Sequence, residues 1–167
     1  EIEGKARELA EQFGFCEGMT FSFESPKVFD RLLLPLDAKE REAIAIKNPL
    51  GEDYSIMRTQ IINGMLTSLG TNSARRNKNV RLYEISNIYL AKKLPLEDYP
   101  EEKKQFCLGM YGEGDFFVLK GVIEEFLYKV GMKKLPSYNA DAGKTFLHPG
   151  RQALIIYEDT VVGYFGE

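Results

Sequence analysis

The sequence predicts an α+β fold, a mainly antiparallel sheet flanked by helices, and three observations carry that expectation. Strand signals come in runs and hairpins rather than in strict alternation with helices, the pattern of an antiparallel sheet with segregated helices. Three long segments repeat their apolar residues at helical spacing. The 167 residues are 44% hydrophobic and 28% charged, enough apolar material to offset the entropy of ordering the chain. No internal repeat or change of composition marks a linker, so one domain over residues 1–167 is expected.

Ile2, Ala6, Leu9, Ala10 and Phe13 form one stripe of a first helix, with Gly14 as its stop. Met19, Phe21 and Phe23 then alternate with Thr20, Ser22 and Glu24, which predicts a strand whose apolar face is buried. Ser25-Pro26 opens a short helix through Val28, Phe29, Leu32 and Leu33, and Pro35 ends it. Residues 43–47 read as a short strand running into the Asn48-Pro49 turn. A second long helix over 59–74 carries Ile62, Met65, Leu66 and Leu69 on one side, with Gly64 and Gly70 as soft spots.

Residues 80–90 read as a long strand. Its alternation slips between Leu82 and Tyr83, predicting a bulge there or burial of both faces. Residues 94–104 are charged and hold two prolines, so a loop is expected before the strand of Phe106, Leu108 and Met110. Asp115 is placed to cap a third long helix with the stripe Leu119, Val122, Ile123, Phe126, Leu127 and Val130, and Gly131 stops it. Residues 152–157 and 161–165 flank Glu158-Asp159-Thr160 as a hairpin.

Composition excludes several classes. The net charge of -3 gives no global attraction to nucleic acid. No window approaches the length of a membrane span, so no membrane role is expected. Cys16 and Cys107 lie far apart in apolar stretches, outside any metal-ligand spacing, and are expected to be free buried thiols in a reducing compartment. The chain opens at Glu1 with no signal-peptide pattern. It reads as a cytoplasmic domain cut from a longer protein.

Candidate chemistry is sparse. His148, the only histidine, sits in the turn Leu147-His148-Pro149-Gly150-Arg151 without a nucleophile motif beside it, so a turn or packing role is expected. Gly109, Gly112 and Gly114 precede a helix, yet their spacing matches neither a dinucleotide fingerprint nor a Walker loop. Arg75, Arg76, Lys78 and Arg81 form a basic cluster at a helix end, a weak candidate for phosphate or RNA. The adjacent carboxylates Glu101/Glu102 and Glu124/Glu125 diverge on any regular element, so they form no acid–base dyad. One histidine and two separated cysteines close no zinc site. Arg58 precedes the second long helix and Glu84 lies mid-strand among apolar residues, which points to a paired, partly buried structural role. No catalytic, cofactor-binding or metal-binding residue is assigned.

A series of stretches in one order along nearly the whole chain points further. They are Asn48-Pro49-Leu50, Ser55-Ile56-Met57-Arg58-Thr59, Gly64-Met65-Leu66, Val80-Arg81-Leu82-Tyr83-Glu84-Ile85, Asp115-Phe116-Phe117-Val118-Leu119-Lys120-Gly121, His148-Pro149-Gly150-Arg151 and Val162-Gly163-Tyr164-Phe165-Gly166-Glu167. Together they resemble the catalytic-like module of the bacterial phenylalanyl-tRNA synthetase β-subunit family. The resemblance implies a class II aminoacyl-tRNA synthetase-like core. In that family the catalytic α subunit carries three class-defining motifs and the β module is a degenerate copy.

The second of those motifs places an arginine on the ATP α-phosphate. The matching stretch here is Ile85-Ser86-Asn87-Ile88-Tyr89-Leu90-Ala91-Lys92, and Leu90 stands at the arginine position. Lys92 and Lys93 are point charges and not bidentate forks. The third motif would fall beyond Glu167.

The resemblance therefore implies a non-catalytic structural module that packs against the α subunit in an α2β2 heterotetramer. Phenylalanine, tRNA, ATP and magnesium belong to the parent enzyme. Class II enzymes dimerise through a helix followed by a strand, so the expected interface is Ile2, Ala6, Leu9, Phe13 and Phe21. Two alternatives stay open, a free-standing RNA-binding domain and a class II-like acyl-adenylate ligase.

Overall fold

The computed structural model describes residues 2–167. Helix α1 (Ile2–Gln12) turns Ala6, Leu9 and Ala10 inward. Strand β1 (Cys16–Glu17) follows, and then β2 (Phe23–Glu24), helix α2 (Val28–Arg31), β3 (Ile56–Met57) and helix α3 (Ile62–Ala74). The long strands β4 (Val80–Leu90) and β5 (Glu101–Tyr111) lead to helix α4 (Phe116–Lys129). Three strands close the chain: β6 (Ser137–Asn139), β7 (Gln152–Tyr157) and β8 (Thr160–Gly166).

The mixed α+β character and the antiparallel pairing match the expectation. The single sheet does not. Strands form three sheets, β1-β4-β5, β2-β3 and β6-β7-β8, and the β1–β4 pair is parallel. The outer strands β5 and β8 line the same apolar cavity of about 530 Å³ beneath α4, so a gap separates the first and third sheets.

Local sequence accounts for the ends of α4. The Asp115 carboxylate accepts from the N–H groups of Phe117 and Val118, both at 3.0 Å, and Gly131 adopts φ 110° just past the last turn. The apolar stripe of α4 packs on both neighbouring sheets. Phe126 stacks on Phe106 of β5 at 4.8 Å, and Phe116 stacks on Phe165 of β8 at 4.6 Å. Buried clusters sit at Val28, Phe29, Leu32 and Ile56, at Ala10, Phe15 and Tyr83, and at Ala153, Ile155 and Phe165. Each buried Val, Leu, Ile or Phe side chain among them contributes about 2 kcal/mol. The β7–β8 turn is tight because Glu158 and Asp159 both take left-handed conformations, φ 46° and 66°.

Several local expectations are corrected. Residues 19–24 form a strand only at Phe23–Glu24, and the buried side is the polar one. Residues 43–47 supply one bridge, Ala45 to Ile56, and no strand. β4 and β5 pair without a break from Val80↔Tyr111 to Leu90↔Glu101, so the slip at Leu82/Tyr83 is no bulge. It reflects burial of both faces, since Tyr83 and Glu84 are each buried. The expected loop at 94–104 is strand from Glu101 onward. Its first four residues are exposed on both faces, so backbone pairing holds them without apolar periodicity. The short β6 had no signal in the sequence. Cys16 is exposed and not buried. Cys107 is half-buried, and its surroundings push the thiol up to about 12 by desolvation, reinforced by the Glu84 charge.

Candidate functional site

The strongest polar constellation is buried. Arg58 and Glu84 are 2% and 1% exposed, and Arg58 Nη1 donates to Glu84 Oε1 at 2.9 Å. Arg58 Nε also donates to the Asn87 carbonyl at 2.8 Å. Glu84 accepts from Ser86 Oγ at 2.8 Å and from Thr20 Oγ1, 2.8 Å to its Oε2. The Thr20 hydroxyl oxygen in turn accepts from Arg58 Nη1 at 3.1 Å. A buried charge pair is tolerated only when its remaining hydrogen-bonding capacity is filled in this way.

That network orients the segment before β2. Gly18 N–H donates to the Tyr83 carbonyl at 2.7 Å, Arg58 N–H to the Ser22 carbonyl at 2.9 Å, and Ser55 N–H to the Glu24 carbonyl at 3.0 Å. Thr20, Ser22 and Glu24 therefore face inward. Because alternate residues of an extended chain point to opposite sides, Met19, Phe21 and Phe23 face out, at 90%, 73% and 41% exposure. Phe21 meets Tyr54 edge to face at 5.8 Å, and Phe23 lies opposite Met57 in register. Helix α3 can approach Thr20 only because residue 64 is glycine. A Cβ there would stand 2.4 Å from Thr20 Oγ1.

Glu24 is the other buried carboxylate of this region. Asn63 Nδ2 donates to its Oε1 at 2.8 Å, while among the described residues neither its Oε2 nor Gln60 Nε2 has a partner. Burial pushes the Glu24 carboxyl above the usual range, partly opposed by the Asn63 hydrogen bond and the Arg58 charge.

The residues expected at the interface separate into two groups. Ala6 and Leu9 are buried in the chain's own core and Phe13 is half-buried, with the Lys129 ammonium 6.0 Å from its ring centre. Only Ile2, at 79%, and Phe21 remain exposed. Met19, Phe23 and Tyr54 join Phe21, whereas alternation alone assigns Met19, Phe21 and Phe23 to the core.

The basic cluster also divides. Arg75, Arg76 and Lys78 are exposed, whereas Arg81 donates to the Phe13 carbonyl at 2.9 Å and lies 5.8 Å from the Phe15 ring centre. Arg81 is thus a structural clamp. His148 serves its turn: its Nδ1 accepts from Gly150 N–H at 3.1 Å, and its backbone N–H donates to the Glu167 carbonyl. Gly109 lies under Met65, and Gly112 and Gly114 shape the turn into α4.

The chain's residues do not fit a nucleotide phosphate at the end of β4. Leu90 ends that strand, opposite Glu101. The neighbouring lysines are each matched to a carboxylate: Lys92 to Asp98, Lys93 to Glu97, Lys103 to Glu101 and Lys104 to Glu3. Among the described residues, no cationic fork converges on one point there. Among the described residues, no helix is long and apolar enough to cross a membrane.

A family model described as the phenylalanyl tRNA synthetase beta chain CLM domain matches residues 1–167. The chain is 37% identical over 167 residues to the phenylalanine–tRNA ligase beta subunit of Clostridium acetobutylicum, covering 100% of this chain and 21% of that protein. It is 37% identical over 169 residues to the corresponding subunit of Clostridium tetani, covering 99% and 21%. The chain thus spans about a fifth of the length of these curated relatives. Two solved structures of pyrrolysyl-tRNA synthetase from Desulfitobacterium hafniense superpose with TM-scores of 0.70 and 0.73 over 96% of this chain and 55% of theirs, at 14% identity. At that identity the likeness concerns the fold.

Proposed function

The chain belongs to the phenylalanyl tRNA synthetase β-chain family, and on that premise we propose that it is a non-catalytic structural module of a cytoplasmic phenylalanine–tRNA ligase, packed against the catalytic α subunit. The observation that carries this reading is the outward apolar face of Met19, Phe21 and Phe23, extended by Tyr54. Large aromatic and methionine side chains are enriched at the centres of protein interfaces, and water-exposed ridges of them mark interaction sites. Buried hydrogen bonds hold the backbone beneath this ridge, so little ordering entropy would remain to be lost on docking.

The class II-like core and the α2β2 assembly are part of the same proposal. ATP and magnesium serve the parent enzyme, whose reaction joins phenylalanine to tRNA. The non-catalytic assignment draws support from Leu90 and from the carboxylate-matched lysines around it. A phosphate needs a free bidentate donor such as arginine, and this end of β4 offers none.

The test is co-purification of the α subunit with the full-length β subunit carrying Phe21→Glu. A charge at the centre of an apolar interface should reduce recovery of the complex at least about tenfold, with an unchanged thermal midpoint for the variant β subunit. Undiminished recovery would place the interface elsewhere. The 167-residue chain alone should show no phenylalanine-dependent ATP–pyrophosphate exchange, and measurable exchange would refute the non-catalytic reading.

A further inference from the structure

We propose that the turn between α3 and β4 is a binding surface for the phosphodiester backbone of RNA, formed by Arg75, Arg76 and Lys78. This rests on the chain being a module of a tRNA ligase, which makes the RNA its tRNA. The three cations fall within four residues, all exposed, and none pairs with a carboxylate among the described residues. Glu113 is brought to the same edge through its N–H, which donates to Asn79 Oδ1 at 3.1 Å, yet its carboxylate forms no ion pair with them.

The geometry of the turn separates these cations from an ordinary solvated helix end. The last turn of α3 holds no basic residue. The cations lie at and past its cap. Arg76 N–H donates to the Ser73 carbonyl at 2.9 Å and Asn77 N–H to the Asn72 carbonyl at 3.2 Å. That paired pattern ends a helix on a left-handed residue, normally glycine. Here the residue is Arg76, at φ 63°. A long cationic side chain occupies a position where its backbone is strained, and such outliers concentrate at binding sites.

The turn is also pinned. The Tyr111 hydroxyl donates to the Asn77 carbonyl at 2.9 Å, and Asn77 Nδ2 donates to Asn72 Oδ1 at 2.7 Å. Arg81, clamped on Phe13 and Phe15, fixes the strand that follows. Arginine forks on a rigid turn match phosphate oxygens two at a time. The Tyr111 hydroxyl is already engaged within the turn, so recognition would rest on charge and would not read sequence.

The experiment measures tRNA affinity of the assembled full-length enzyme across about 0.05–0.2 M salt. The triple variant Arg75→Gln, Arg76→Gly, Lys78→Gln is compared with the parent. Glycine keeps the left-handed turn. The expected result is a dependence of log affinity on log salt shallower by about two to three, and about tenfold weaker binding at the low-salt end. The loss should be the same for a non-cognate tRNA. Phenylalanine-dependent pyrophosphate exchange and recovery of the α subunit should not change.

An unchanged affinity and salt slope would overturn the proposal. So would a loss confined to the cognate tRNA, or weakened α-subunit recovery with an unaltered tRNA slope, which would assign the turn to a protein partner. Should the triple variant fold poorly, Lys78→Gln alone must still lower the slope by about one. Failure of the structural-module reading shows separately, as undiminished α-subunit recovery by the Phe21→Glu variant.

Discussion

Two buried carboxylates differ in how fully they are partnered. Glu84 is surrounded by donors from Arg58, Thr20 and Ser86. Removing Arg58 leaves that carboxylate uncompensated, so Arg58→Ala should cost about 3–5 kcal/mol in urea unfolding. The double variant Arg58→Met, Glu84→Leu should cost clearly less than the two single losses summed, because neither charge is then stranded. Additive losses would show that the two residues act independently. Glu24 has one oxygen unpartnered, and burial raises its pKa in the fold. The folded state therefore binds its proton more tightly than the unfolded chain, whose glutamates titrate near about 4.3. The Glu24 contribution is fully present below that pH and is lost as pH rises through the folded value. Glu24→Gln removes this loss, so its stability relative to the parent should grow between about pH 4 and 7. A difference independent of pH would show that Glu24 ionises normally in the fold. Glu3, Glu124 and Glu167, all lowered by basic partners, cancel in that comparison.

Among the elements, α4 was legible almost residue by residue. Its cap, stripe and stop are local signals, and all three appear where local chemistry puts them. Helix α3 was legible as a helix but not in how it packs. Gly64 reads as a weak point in isolation, since glycine loses helix propensity relative to alanine. In the fold it is the opening through which Thr20 reaches the helix. Gly64→Ala should therefore destabilise the chain by about 1–3 kcal/mol despite better propensity, read from the denaturation midpoint. A stabilised variant would show that the Thr20 contact yields easily. The segment 19–24 shows the reverse case. Its period of two is real, but periodicity reports only that two faces differ. Which face turns inward is decided by Arg58 and Glu84, which lie far along the chain.

At the scale of the whole molecule, packing is uneven. The cluster of Val28, Phe29, Leu32 and Ile56 is buried, whereas Ile123 and Leu127 of α4 line the cavity between β5 and β8. A side chain bordering open space has fewer neighbours to lose. Ile56→Ala should accordingly cost about 4 kcal/mol and Ile123→Ala about 2 kcal/mol by chemical denaturation. Equal costs would mean that the cavity collapses in solution. The sequence by itself determined the α+β class, the helices, the long β4 strand, the closing hairpin and the family, because caps, apolar stripes and ordered motifs are local or linear features. It also pointed to Arg58 and Glu84, since charges placed among apolar residues must find partners. Only the tertiary structure decided that residues 101–104 are strand, that α1 spends Ala6 and Leu9 on its own core, and that Met19, Phe21 and Phe23 form the exposed ridge. Those outcomes depend on backbone pairing and buried hydrogen bonds between distant segments, which leave no periodic trace in the residues themselves.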